Sequence, residues 1–385
     1  AARALAELEA TEAVEALAAA LRAAAPGEFA HHLLEVLGQL RDPGAVGTLV
    51  EFLARDELPA DSLLRETARA SLVRLGGEEA VDALLPLLVA GGAGAGSAAT
   101  ALGQLGARKA VPFLADLLAT AEDPELRMTA ARALASLGPE GVRVLSDRAT
   151  EDPASAAAAL RGLAETRDPE FAPLVRDVLA ASQDAEVRRT ALRVLGAVGG
   201  PEDVALLAER IEDSPTDAER IAATESLADL ARTAGAPAID LLERRLRDAP
   251  SPAERAAAAR GVADGGAEDA VATLAAALAA ETDPLARYSL LSALGRTGRP
   301  AARPILERAL EAEPVADLRA EAARSLGVLG DAAAAIALAR SLANDPSPFV
   351  RAQVGRALAR FGDRSAVPRL VADLRDADPE VRRAA

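Results

Sequence analysis

Residues 345–362 read DPSPFVRAQVGRALARFG. Val350, Val354, Ala357, Leu358 and Phe361 fall at i, i+4, i+7, i+8 and i+11, the stripe of a helix with one buried face. Alanine at the seventh offset is small enough to let a neighbouring helix approach closely. Two further copies, EPVADLRAEAARSLGVLG (313–330) and ETDPLARYSLLSALGRTG (281–298), align beneath it without a gap, so that Arg287, Arg319 and Arg351 recur every 32 residues. Upstream, Arg65, Arg127, Arg188, Arg220 and Arg255 hold the same phase with small insertions, and Arg382 continues it at the far end.

A second helical phrase alternates with the first: EAVEALAAAL (12–21), GAVGTLVEFL (44–53), EAVDALLPLL (79–88), KAVPFLADLL (109–118), DAVATLAAAL (269–278) and SAVPRLVADL (365–374). Each unit is therefore a helix of the AVxxL kind, a turn often carrying Asp-Pro, and a second helix with the arginine. Roughly twelve such units span the chain. A unit of about 32 residues cannot bury its apolar faces alone, so units must stack on their neighbours.

Composition agrees with an all-α protein. Half the residues are apolar but 2% are aromatic, with no Trp, one Tyr and one Met, and alanine supplies roughly a quarter of the chain. Such a core suits close-packed helices better than sheets, which favour β-branched and aromatic side chains. The absence of cysteine excludes disulfides, thiolate zinc sites and a cysteine nucleophile, and it fits a cytoplasmic location. A formal charge of −16 opposes attraction to nucleic acid or anionic lipid, and no apolar run is long enough for a membrane span. Of the 43 basic residues only Lys109 is lysine, a bias that suggests a GC-rich, salt-adapted genome.

The pattern resembles the HEAT-repeat family, in particular the short HEAT-like repeats named after phycobilisome lyases. The resemblance implies a right-handed α-solenoid of about twelve antiparallel two-helix repeats, a single array over residues 1–385. It also implies a ladder of hydrogen bonds between neighbouring repeats, made by a turn acid and the arginine six residues on: Glu281 and Arg287, Glu313 and Arg319, Asp345 and Arg351, Asp376 and Arg382. Units around 91–100 and 151–160 lack the arginine, so the ladder is expected to break there. GGAGAGSAAT (91–100) fits neither GxGxxG nor GK[ST], and 91–98 reads as a flexible joint rather than a phosphate loop. The terminal DADPEVRRAA (376–385) has a cap at Asp378 and a proline in the first helical position, the opening of a further second helix. The array is thus expected to be cut within a repeat at its C-terminus, and the missing initiator Met suggests the same of the N-terminus.

In the resembled family the second helices line the concave surface. Counting from the hydrophobe before the arginine, positions +2, +3, +6 and +10 should be exposed. The +6 row holds Arg132, Arg193, Arg260, Arg324 and Arg356, and Arg296 and Arg360 join it at +10. One reading has these arginines pair with Glu225, Asp229, Asp264 and Glu321 and solvate the groove. The other makes them an arginine ridge that receives an acidic segment of a partner protein, since guanidinium forks match carboxylates. Met128, Tyr288, His31 and His32 all fall on +2 or +3, and Tyr288 with Arg324 and Arg296 is the expected contact centre.

Catalysis finds few materials. Two adjacent histidines and no cysteine assemble neither a triad nor a zinc shell, and HHLLE (31–35) is not HExxH. The several His-Glu pairs of di-iron hydroxylases built on HEAT-like repeats are also missing. The leading expectation is a non-catalytic scaffold or adaptor for another protein, with no cofactor, metal, nucleic acid or membrane. The alternative, suggested by the repeat's namesake, is a bilin lyase or isomerase whose arginines and tyrosine hold a linear tetrapyrrole. Repair glycosylases of HEAT-like fold would need a basic, aromatic-rich groove, which this composition does not supply.

Overall fold

The computed structural model describes residues 10–55, 57–59, 62–92, 94–214, 216–362, 367–375 and 379–384. Every regular element among them is helical. The helices pair in chain order: Val14–Ala23 with Glu28–Leu40, Val46–Leu53 with Leu63–Leu75, Gly77–Ala90 with Ala95–Gln104, Val111–Thr120 with Pro124–Ser136, Pro139–Glu151 with Pro153–Thr166, and Ala172–Ala181 with Ala185–Val198. The pairing continues as Val204–Asp213 with Asp217–Ala234, Ala236–Asp248 with Pro252–Gly265, Ala270–Ala280 with Pro284–Arg296, Arg303–Ala312 with Ala316–Leu329, Ala335–Asn344 with Pro348–Arg360, and Val367–Asp373 with Pro379–Ala384. The chain divides into two compact units, Ala1–Val194 and Leu195–Ala385.

Second helices start where the sequence places Asp-Pro. Asp123, Asp152 and Asp283 each accept a backbone N–H of the first turn ahead of Pro124, Pro153 and Pro284. Many end on a left-handed glycine, as at Gly330 (φ 75°), whereas Arg41 and Arg167 hold the equivalent bend at φ 51°, a region that favours glycine. Leucine, alanine and valine fill the core, as in Leu290, Leu294, Leu326, Val354 and Leu358.

Within each unit, successive second helices pack along their lengths, whereas successive first helices touch only briefly. Small residues make the closer approach possible. A Cβ added at Gly295 would stand 2.7 Å from Ser325 Cβ and 2.9 Å from its Cα; Gly38 meets Ser71, Gly103 meets Ala133, Gly327 meets Ala357, and Ala228 meets Gly261 in the same way. A glycine, or alanine at Ala228, near the end of one second helix thus packs on the small seventh-offset residue of the next.

The turn edge carries the arginines. Arg255 donates to the Ala249 carbonyl at 2.8 Å and, by Nε and Nη2, to Glu281 of the next repeat at 2.6 and 3.0 Å. Arg287 repeats this on the Glu281 carbonyl (2.7 Å) and the Glu313 carboxylate, and Arg319 on the Glu313 carbonyl (2.9 Å) and Asp345 (2.8 and 3.1 Å). Arg351 donates to the Asp345 carbonyl at 3.1 Å. Arg382 lies on the helix Pro379–Ala384, and Asp376 lies outside the described residues. The paired carboxylates are nearly buried, and the hydrogen bond from Arg255 holds Glu281 below its ordinary value of 4.5 against the opposing effect of burial. Arg65 is fully buried and spends its guanidinium on the carbonyls of Leu53, Arg55 (2.8 Å), Leu58 (2.6 Å) and Pro59 (3.3 Å).

The two units that lack the arginine differ. Gly94 closes in on the preceding repeat, where an added Cβ would meet Ala54 Cα and the Leu53 carbonyl at 3.3 Å. Gly91 and Gly92 beside it take φ of 68° and 72°, and residue 93 of the expected joint at 91–98 lies outside the described residues. At Ala156 the space stays open.

The close approach can be tested with one pair of substitutions. Gly295→Ala is expected to weaken its helix by about 1–3 kcal/mol through overpacking. Gly47→Ala, on an open helical surface, should strengthen its own by about 0.8–1 kcal/mol. Amide hydrogen exchange of Pro284–Arg296 and Val46–Leu53 reads both; shifts of the same sign would refute the packing argument.

Candidate functional site

On the second unit, the helices Asp217–Ala234, Pro252–Gly265 and Pro284–Arg296 enclose a groove of about 520 Å3 lined by Glu225, Arg260, Leu285, Tyr288, Ser292 and Arg296, among others. Tyr288, Ser292 and Arg296 stand at i, i+4 and i+8, so one helical face delivers all three. Leu285 (58% exposed) and Tyr288 (41%) are uncovered apolar surface on its wall.

The arginines are mostly engaged with the preceding repeat. Arg260 donates to Asp229 Oδ1 at 2.6 Å and to the Glu225 carbonyl at 3.1 Å. Arg296 grips Asp264 with two donors, Nε at 3.0 Å and Nη2. Arg324 donates to Glu321 (Nε, 2.7 Å) and to Ser292 Oγ at 2.8 Å. Arg356 and Arg360 are exposed and make no hydrogen bond or ion pair among the described residues. In the first unit, Arg132 faces Glu165 across 3.5 Å with both side chains largely in solvent, and Arg193 is an exposed residue of Ala185–Val198. The structure therefore brings Arg260, Tyr288 and Arg296 to one groove and sets Arg324 beside it; Arg132 and Arg193 belong to the first unit.

Glu321 is the buried centre of this neighbourhood. Its carboxylate accepts from Arg324 and from Ser325 Oγ (3.2 Å). Burial raises the Tyr288 phenol above its ordinary value of 10.0, and the hydrogen bond and charge of Glu321 add to the rise while Arg324 opposes it. The hydrogen bond from Arg324 to Glu321 in turn raises the guanidinium.

Some expectations about exposure fail here. Met128, placed by its +2 offset on an open surface, is 8% exposed. Glu321 at +3 is buried as well, because second helices that meet at small residues cover the flanking offsets. Glu219 and Glu254 occupy positions reserved for a hydrophobe and are buried. Glu254 lies 3.3 Å from Arg245 and 3.8 Å from Arg220, an ion cluster that the sequence reading missed. Its one signal was an acid before the arginine in two successive repeats. His31 and His32 have ring centroids 6.3 Å apart, yet each Nδ1 lies 3.8–3.9 Å from Glu35. The ligand atoms of these three residues lie within 4.8 Å of one another.

Among the described residues no helix is long and apolar enough to cross a membrane. A family model described as HEAT repeats matches residues 92–156, 142–228, 239–327 and 313–385. Among solved structures, the karyopherin Kap121p bound to the extreme C-terminus of the protein phosphatase Cdc14p is similar over 94% of this chain and 47% of its own, at 14% identity and a TM-score of 0.54. Kap121p bound to Ste12p is similar over 94% and 46%, at 14% identity and a TM-score of 0.53. Human deoxyhypusine hydroxylase in complex with glycerol matches 68% of this chain and 99% of its own at 25% identity, with a TM-score of 0.31. The karyopherin likeness is one of fold alone, and this chain spans about half the length of those chains. No curated protein matches.

The lone tyrosine, with no tryptophan to obscure it, reports on the groove directly. Its ionisation, followed by near-ultraviolet absorbance, is expected to have its midpoint above 10.0. Glu321→Gln should move it downward, because the nearby negative charge that disfavours phenolate is gone. A midpoint at or below 10.0 in the native protein, or no movement in the variant, would separate Tyr288 from Glu321.

Proposed function

The chain belongs to the HEAT-repeat family, and on that premise we propose that it is a non-catalytic scaffold whose second-helix face holds a segment of another protein. The groove at Tyr288 carries this reading. It joins an exposed tyrosine and leucine to guanidinium groups that retain unspent donors. Each arginine has five N–H donors, and the bonds from Arg260 and Arg296 to the preceding repeat use two apiece. The remainder, with Arg356 and Arg360, which have no partner among the described residues, suit an acidic segment. Kap121p, of the same fold, holds the extreme C-terminus of Cdc14p, and we extend that mode of use to this chain. A repeat near 32 residues with an acid–arginine ladder supports assigning its repeats to the phycobilisome-lyase type. Its acidity and lack of cysteine suit a cytoplasmic protein without nucleic-acid partners.

The bilin alternative uses the same tyrosine and arginines and has no feature of its own to favour it. Affinity purification from the native host tests the scaffold reading. Tyr288→Ala should lower affinity for the captured protein by about 2 kcal/mol, the scale of an interface hot spot. Arg356→Glu with Arg360→Glu should weaken capture while leaving helicity intact. Arg324→Glu is a poor probe, since it would set a second carboxylate against the buried Glu321. Equal capture by all variants would overturn the assignment.

A further inference from the structure

The unit whose ladder arginine is missing contains a cavity. In repeats that keep both the proline and the arginine, the arginine sits three residues after the helix-starting proline and donates to the carbonyl six residues before it: Arg127 to Ala121 (2.5 Å), Arg255 to Ala249 (2.8 Å), Arg287 to Glu281 (2.7 Å). After Pro153 the third residue is Ala156, which is buried, and Thr150 stands at the acceptor position. A cavity of about 530 Å3 opens there, lined by Thr150, Ala156, Asp177, Val178, Ser182 and Asp184 among others.

The backbone around this cavity is short of donors. Helix Pro139–Glu151 ends in carbonyls that need N–H partners from residues 153–155. Pro153 has no N–H, Ala154 donates to Asp152 Oδ1 at 3.1 Å, and Ser155 donates to the Asp152 carbonyl at 3.1 Å. The carbonyls of Ala149, Thr150 and Glu151 are thereby left without helical donors at the negative end of the helix dipole. Across the cavity, the position 26 residues on, which holds an acid in the rungs of Arg255, Arg287 and Arg319, is Ser182, while Asp177 and Asp184 line the cavity with negative charge, Asp184 also accepting from the Glu186 and Val187 N–H groups at 2.8 and 3.0 Å.

We propose that this vacated rung is a binding slot for an arginine side chain of a partner protein, whose guanidinium takes the place that the chain's own arginine fills elsewhere. The helix-end carbonyls and the two carboxylates match the several donors and single charge of a guanidinium fork. An ammonium gathers three donors on one atom, whereas a guanidinium spreads five over a planar fork and suits acceptors set apart. The slot lies in the first unit and does not depend on the groove at Tyr288.

The test is an amide NMR titration of the full chain with the tripeptide acetyl-Gly-Arg-Gly-amide and its lysine counterpart. Saturable shifts at Thr150, Ala156, Ser182 and Val187, with the arginine peptide binding at least tenfold more tightly, are expected. Ala156→Arg should abolish them and raise the thermal midpoint of the unit by restoring the rung. Asp177→Asn, an exposed change that leaves packing intact, should weaken the arginine peptide several-fold. Equal binding of the two peptides, shifts that persist in a folded Ala156→Arg, or unchanged affinity in Asp177→Asn would each overturn the proposal.

Discussion

A helix that ends against another helix must find donors for its last carbonyls, and in this chain an arginine from the next helix supplies them. The same guanidinium then reaches the carboxylate of the following repeat, so one side chain closes a helix end and fastens two neighbours. At Arg255, Arg287 and Arg319 both halves are present. Because the acids are nearly buried at these rungs, neither partner is dispensable: removing one leaves a charge with little access to water. Repeats short of aromatic residues have little else at the turn edge to fix their stacking.

The other edge is organised by size. Glycine, alanine and serine bring second helices together and push larger groups outward or into the seam. Polar groups on this face consequently meet across repeats, which is why Arg260 finds Asp229, Arg296 finds Asp264 and Arg324 finds Ser292. An acidic protein thereby neutralises much of its second-helix arginine row from within. The face is a partly satisfied lattice with a groove at Tyr288 and, at Arg356 and Arg360, cations without a partner among the described residues, which is a different surface from a bare basic ridge.

The helices and the arginine phase were legible because each repeat states them again: Asp-Pro, the apolar stripe, arginine, then small residues. A loss in the pattern was also legible, since Ala156 stands where its counterparts are Arg127 and Arg255. What the period could not reveal is how covered a given offset becomes. Met128, Glu254 and Glu321 are buried by neighbours some 30 residues away, and a one-dimensional count of exposed offsets does not contain that distance. Nor could the sequence separate a cavity from a collapse where arginine is absent. Gly94 allows the backbone to move in, whereas at Ala156 the proline and the aspartate cap hold the helix in place and the space remains.

Arg287 is the most direct place to examine the ladder, because its guanidinium meets the Leu278 and Glu281 carbonyls and the Glu313 carboxylate together. In Arg287→Met, native-state hydrogen exchange should reveal protection falling on the order of a hundredfold in Ala270–Ala280, Pro284–Arg296 and Arg303–Ala312, with Val14–Ala23 and Glu28–Leu40 unchanged. Protection that survives in those three helices, or that declines evenly along the whole chain, would contradict the account.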